Sequence, residues 1–202
     1  MIRTLLLGLT FTLMSCSMMV TPKFEELPKL PEKFGISGEH ILSNSCIDLS
    51  GKYNIKPISY RLNKSGELLE TSVSNRFSFI HLFGLGKKKI KNIELINYPS
   101  FAITDLVIEQ LNSTEIKILN RNLKDAVVHF SVLSKLEKDF TCSANITILK
   151  ESSFKGGAEG TQINYRSYRD LRLLENGDLL LYEQLAYPYR VEHNYFLFQR
   201  LL

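Results

Sequence analysis

Tryptophan is absent from the 202 residues, and histidine occurs only four times, at positions 40, 81, 129 and 193. No two of these histidines lie three or four residues apart, the spacing that brings two imidazoles to one ion, so a metal site has no local support. HExxH, GxSxG, GxGxxG and Walker loops are also missing, and with them the commonest hydrolase and nucleotide-binding frameworks. Charge of one sign is scarce. The 25 Lys+Arg against 21 Asp+Glu leave a formal +4, too small and scattered an excess to mark a nucleic-acid surface, so no nucleic-acid partner is expected. No apolar run approaches the roughly 20 residues needed to cross a bilayer as a helix. What remains is 44% hydrophobic and 23% charged, with 12 Phe and 9 Tyr. That is the composition of one globular domain with an ordinary core.

The first sixteen residues are patterned differently from the rest. Arg3 is their only charge, and Leu5 to Met14 is apolar over a length usual for the h-region of a secretory signal. Leu13-Met14-Ser15-Cys16 then resembles the lipobox of bacterial lipoproteins: Leu first, a small residue before the cysteine, then the cysteine itself. Met14 departs from the usual Ala, Ser, Thr or Val. The resemblance implies that residues 1–15 are a signal peptide, cleaved between Ser15 and Cys16, and that Cys16 becomes an acylated N-terminus partnered with the membrane. Two or more acyl chains anchor stably. Ser17 stands where an Asp signals inner-membrane retention in enteric-type bacteria, so the expected location is the outer membrane, facing the periplasm. Residues 16–44 read as a tether. Pro22, Pro28 and Pro31 punctuate it, charges outnumber apolar residues, and Gly35 and Gly38 interrupt it. Its second half has another use open to it, covering a sheet edge through Phe24, Leu27, Leu30 and Phe34.

With Cys16 lipidated, Cys46 and Cys142 remain. In an exported domain two cysteines are most simply one disulfide; two buried free thiols are the alternative. Neither has a CxxC neighbour or a histidine at zinc spacing.

Residues 45–202 alternate like β-structure and form the single domain. Strands are predicted over 50–55, 90–96, 104–111, 115–119, 126–133, 141–150 and 163–174, with a last one over 193–201. In 104–111 Leu106 and Ile108 share one face and Asp105 and Glu109 the other; in 126–133 Val128, Phe130 and Val132 align. Asn176-Gly177 between Leu173-Leu174 and Leu179-Leu180-Leu181 predicts a tight hairpin with positive φ at the turn. One short helix is predicted over 74–84, where Phe77, Ile80 and Phe83 recur. The expected fold is mostly β: an antiparallel meander of about eight or nine strands with that helix, closed into a barrel or folded as a sandwich. Cys46-Ile47-Asp48-Leu49-Ser50-Gly51-Lys52-Tyr53 resembles the opening strand of the lipocalin/calycin architecture, with Tyr53 where lipocalins carry Trp. It is also similar to small bacterial lipoproteins whose domains begin Cys-x-Asp-Leu-Ser-Gly-x-Tyr.

Chemistry is thin. Lys87, Lys88, Lys89 and Lys91 form the best charged cluster and fit anionic lipid headgroups, or simply a solvated loop. Gly84 and Gly86 precede them but follow a helix, the wrong geometry for a phosphate cradle. Asp105 with Glu109, or Asp170 with Glu175 and Asp178, supply carboxylates, yet surface strands carry such residues anyway. Tyr182, Tyr187, Tyr189, Tyr195, Phe196 and Phe198 crowd the last hairpin, either lining a pocket or filling a core. No catalytic set is visible and no cofactor or metal is implied. Two functions therefore stand side by side. One is a non-enzymatic binding module for a hydrophobic or envelope-derived ligand. The other is a structural or interaction lipoprotein that docks a partner protein through its sheet. Bulky inward residues favour the second and small ones the first.

Overall fold

The computed structural model describes residues 30–35, 46–72, 91–92, 103–122, 124, 127–143, 146–156 and 163–202. In chain order the strands are β1 (Gly51–Asn54), β2 (Ile58–Leu62), β3 (Leu68–Thr71), β4 (Lys91–Asn92), β5 (Ile103–Asn112), β6 (Glu115–Asn122), β7 (Val127–Ser134), β8 (Phe140–Ser143), β9 (Ile146–Gly156), β10 (Ile163–Leu173), β11 (Leu179–Ala186) and β12 (Val191–Phe198). They form two sheets. The smaller has the order β1-β5-β6-β7-β4, with β4 contributing only two residues at its edge; the larger has the order β3-β2-β12-β11-β10-β9-β8. Every pairing is antiparallel. Neither sheet closes on itself, so the fold is a sandwich and not a barrel. After β12 the chain leaves the large sheet and bonds to β1, with Asn54 N–H donating to Gln199 O (2.9 Å) and Leu201 N–H to Lys52 O (2.7 Å). One corner of the sandwich is thereby sewn by backbone.

The core lies between the sheets. Leu106, Ile108, Ile116, Ile118 and Leu133 of the small sheet meet Phe140, Leu149, Leu171, Leu179, Leu181, Phe196 and Phe198 of the large one. Leu106 and Ile108 thus face inward as their alternation predicts, while Glu109 pairs with Lys117 (3.1 Å) and Asp105 with Lys52 (2.8 Å) on the other face. In β7 the predicted face is not the one between the sheets: Leu133 and Ser131 register with the inward Ile116 and Ile118. An apolar pattern on the opposite face, with Phe130 and Val132 half-buried, hides that choice.

More strands form than the eight or nine expected. β2 and β3 are an unpredicted hairpin, turned by Asn63, whose Oδ1 accepts from the N–H groups of Ser65 (3.0 Å) and Glu67 (2.8 Å), with Gly66 at φ 82°. Side-chain capture of backbone donors is how Asn closes a turn, here between Ile58, Tyr60 and Leu62 on one side and Leu68 on the other. The predicted strand 141–150 is two strands, β8 and β9, paired antiparallel with Ser143 opposite Ile146 and Phe140 opposite Leu149; neither Gly nor Pro marks the division in the sequence. The predicted helix over 74–84 lies outside the described residues.

Cys46 and Cys142, 96 positions apart in sequence, are disulfide-bonded, with Cα atoms 5.2 Å apart. The bridge fastens the segment before β1 to the edge strand β8. Gly51 has a specific reason to be glycine. The Tyr53 ring folds back over it, and a Cβ there would stand 2.8 Å from the Tyr53 hydroxyl oxygen. That hydroxyl donates to Leu49 O (2.9 Å), so the Gly-x-Tyr opening is a packing device of β1.

Candidate interaction face

Every residue of β11 except Leu185 is buried, so this central strand of the large sheet is enclosed on both faces, while outer-face residues of its neighbours such as Ile58, Ile148, Tyr168 and Leu197 are half-buried. Its inner face meets the core. On its outer face the registers set a row across strands: Tyr60 of β2, Tyr195 of β12, Tyr182 of β11, Asp170 of β10 and Ile148 of β9. A second row runs Ile58, Leu197, Leu180, Arg172 and Ile146, and beyond the first lie His193, Gln184 and Tyr168. Because cross-strand neighbours touch, the rings form a continuous band: Tyr195 to Tyr182 is 5.2 Å between centroids and Tyr182 to Tyr168 is 6.2 Å.

Beside that band sits a buried ion pair. Arg172 donates from Nε to Asp170 Oδ1 (2.7 Å) and from Nη2 to Oδ2 (2.9 Å), a two-pronged contact, and the Asp170 side chain has no exposed surface. The Tyr168 hydroxyl donates to the same carboxylate. Burial by itself lowers the Arg172 pKa, but the hydrogen bond and charge of Asp170 outweigh it and the net shift is upward. Tyr168, Tyr182 and Tyr195 are all pushed above the ordinary phenol range, in each case first by burial. The Tyr182 hydroxyl lies 2.8 Å from His193 Nδ1. The Tyr195 hydroxyl, equally buried, has no hydrogen-bond partner among the described residues.

The chain itself seats a segment on this face. Residues 31–34 make a turn, Phe34 N–H donating to Pro31 O (2.8 Å). It delivers Phe34 into a cup where the Tyr60 ring meets it edge-on and the Tyr195 ring is stacked on it, both at 5.6 Å, with Leu174 and Leu180 in the same cluster. Phe34 is 3% exposed while its neighbours Lys33 and Gly35 are open to solvent. Lys33 Nζ caps the Tyr60 ring at 3.9 Å, a cation–π contact. Burial of one Phe side chain contributes about 1.5–3 kcal/mol. Fixing each backbone residue costs about 1–2 kcal/mol, so this single anchor offsets the ordering of only one or two residues.

The inner face of the same sheet changes character beyond the apolar core. Arg61, Asn194, Glu183 and Arg169 stand in register on four neighbouring strands. Arg169 Nε donates to Glu183 Oε1 (2.9 Å), Arg61 Nε to Asn194 Oδ1 (3.2 Å) and Arg169 Nη1 to Ser152 Oγ (3.2 Å). These groups satisfy one another, and such a row adds specificity of packing more than net stability.

The sequence-predicted aromatics are divided by the sheet. Phe196 and Phe198 belong to the core between the sheets, Tyr182 and Tyr195 to the outer face, and Tyr187 and Tyr189 to the β11–β12 turn, where Tyr189 is exposed. They do not line one pocket. Asp170 is engaged by Arg172, and Asp178 caps Arg200 N–H (2.8 Å) next to the β10–β11 turn; neither is paired with a second carboxylate for acid–base work. Cys16, Lys87, Lys88 and Lys89 lie outside the described residues, and of Lys91 only the backbone pairing with Phe130 is described. Among the described residues no three His, Cys, Asp or Glu side chains converge on a metal-sized site. Of the residues expected to cover a sheet edge, Phe34 and Leu30 do pack on the large sheet; Tyr60 is not identified from the sequence as the partner of Phe34, because their contact spans 26 positions and two elements. No protein family, curated protein or solved structure matches the chain.

Proposed function

We propose that this is a lipid-anchored protein of the bacterial envelope, held by an acylated Cys16 on the outer membrane and facing the periplasm. We propose further that it works without catalysis, as an interaction module docking a partner protein through the outer face of its large sheet. The lipobox resemblance at Leu13-Met14-Ser15-Cys16 supports the anchor. The chain from Cys16 to Leu30 reaches at most roughly 50 Å when fully extended, enough to present the domain away from the bilayer.

The observation that carries the docking reading is what occupies the interior. Inward positions at the centre of both sheets are mainly Leu, Ile and Phe, buried against one another with Ser131 and Thr147 among them, and the zone beyond them on the large sheet is the hydrogen-bonded Arg169–Glu183–Asn194 row. A hydrophobic ligand between the sheets would have to displace one or desolvate the other. The outer face instead concentrates tyrosines and an arginine, residue types enriched at protein interfaces, around the Phe34 cup. Native mass spectrometry of Ser17–Leu202, purified gently from the periplasm, tests this reading. A bare protein mass is expected. A lipid or other apolar molecule retained at one equivalent would overturn docking in favour of a ligand-binding module.

A further inference from the structure

Resting on the docking reading, we infer that Lys33-Phe34 is an internal ligand, and that its cup accepts the aromatic side chain of a partner's extended peptide in which a basic residue precedes the aromatic one. The cup is built: Tyr60 and Tyr195 clasp the Phe34 ring at 5.6 Å each, and Leu174 and Leu180 belong to the same cluster. The basic residue has its own place, 3.9 Å above the Tyr60 ring, where Lys33 Nζ now stands. Among the described residues, one backbone hydrogen bond joins the segment to the sheet, from Glu175 N–H to Gly35 O at 3.4 Å; the other, Phe34 to Pro31, is internal to the turn. The Phe34 ring contact and the Lys33 cation–π contact are those that an incoming basic–aromatic pair remakes on exchange in trans.

An independent sign that the internal segment is a stand-in comes from Tyr195. Its hydroxyl is buried without a hydrogen-bond partner among the described residues, and a phenylalanine stacked on its ring carries no polar atom to offer it. A partner aromatic with a polar group, tyrosine above all, supplies what Phe34 lacks. Occupied in cis, the cup keeps a sticky tyrosine face closed until a competing segment arrives, so partner binding and release of the tether are one event.

The test uses the mature lipidated chain in mild detergent and a peptide copying Lys29–Ile36, titrated by NMR or calorimetry. Phe34→Ala, which empties the cup, is expected to bind this peptide at least ten-fold more tightly than the wild type does. The peptide with Ala for Phe should bind neither, and the peptide with Tyr for Phe should bind more tightly than the original. Should Phe34→Ala fail to fold, the same titration on the wild-type chain reads competition, as loss of the Phe34 ring-current shifts on Tyr60. A folded Phe34→Ala protein that takes up no peptide overturns the inference, as does equal binding of the Phe and Ala peptides. A dimer formed by exchanging Phe34 between copies would also overturn it, by making a second copy the occupant. Those failures leave docking intact, since that reading is judged by the ligand-free mass; a retained lipid would remove both.

Discussion

The outer face keeps a charge pair in a place with no water to share it. Asp170 is wholly buried on a strand between Tyr182 and Ile148, and its two oxygens are each claimed by Arg172. Separating such a pair is far more costly than never having built it, because the surviving charge is left desolvated. Asp170→Asn leaves the Arg172 guanidinium with a neutral amide and also weakens the acceptor of the Tyr168 hydroxyl. The expected loss is about 3–5 kcal/mol, a large share of a domain's stability, read as a shift of the urea midpoint with unchanged slope. A midpoint within a few tenths of a molar of wild type would mean that solvent reaches the pair. Tyr195 is the reverse case, a neutral polar atom buried without a hydrogen-bond partner among the described residues.

At the scale of elements, the β10–β11 hairpin shows how a turn and a distant strand end share one glycine. Asn176-Gly177 forms the predicted turn, but only Gly177 has positive φ, at 83°, and Asn176 does not. Gly177 N–H donates to Leu174 O (2.9 Å) and Leu174 N–H to Asp178 O (2.9 Å), so the loop holds three residues and ends in a glycine bulge, in place of the two-residue turn that Asn-Gly suggests. A Cβ on Gly177 would also press on Arg200 at 3.1 Å. Gly177→Ala therefore adds backbone strain to a side-chain clash, with an expected cost of about 1–3 kcal/mol. It should show in a lowered thermal midpoint and in disturbed amide signals at Arg200, which bonds to Asp178 at this turn. Disturbance confined to residues 174–178 would show that Arg200 moves aside freely. The same turn receives the tether, through Glu175 and Gly35, so hairpin geometry and Phe34 seating are linked.

For the whole molecule, two features decide how it fails. The Cys46–Cys142 bridge closes a loop of nearly half the chain, worth about 4–5 kcal/mol in the chain-entropy account. Buried tyrosines set the alkaline limit. Tyr53 is pushed up to about 12 by burial, and Tyr168, Tyr182 and Tyr195 are raised as well. In the unfolded chain these phenols ionise near their ordinary value of about 10, while the folded state keeps their protons. The unfolded state therefore binds fewer protons above that pH, and stability is complete below it and falls as pH rises from about 10 through 12. The slope is about 1.4 kcal/mol per pH unit for each tyrosine still protonated in the fold. Absorbance at 295 nm should show these four tyrosines ionising late, together with loss of the β-sheet circular dichroism signal. Ionisation of all the tyrosines near pH 10 with the fold intact would contradict the buried band.

Much of this was legible in order along the chain. Alternation is a local property, so Leu106 and Ile108 announced the inner face of β5, and a Gly after an Asn announced the hairpin at 176–177. The pairing of Cys46 with Cys142 was expected because two cysteines in an exported domain have one partner each. What alternation leaves open is the side on which a second layer lies when both faces are apolar. Hence Ser131 and not Phe130 faces inward in β7, and the C-terminal aromatics divide between core and outer face. The β2–β3 hairpin was legible too, in the alternation of Ile58, Tyr60 and Leu62 and the Ser65-Gly66 turn before Leu68, but its strands are only five and four residues long. The tyrosine row, the Asp170–Arg172 pair beside it and the cup around Phe34 exist only because antiparallel registers bring β2, β12, β11 and β10 abreast. Residue type and local spacing determined that this chain would be a disulfide-bearing, mostly β domain. Contacts between strands far apart in sequence, invisible until the sheets form, decided that it would be a sandwich with its chemistry on the outer face.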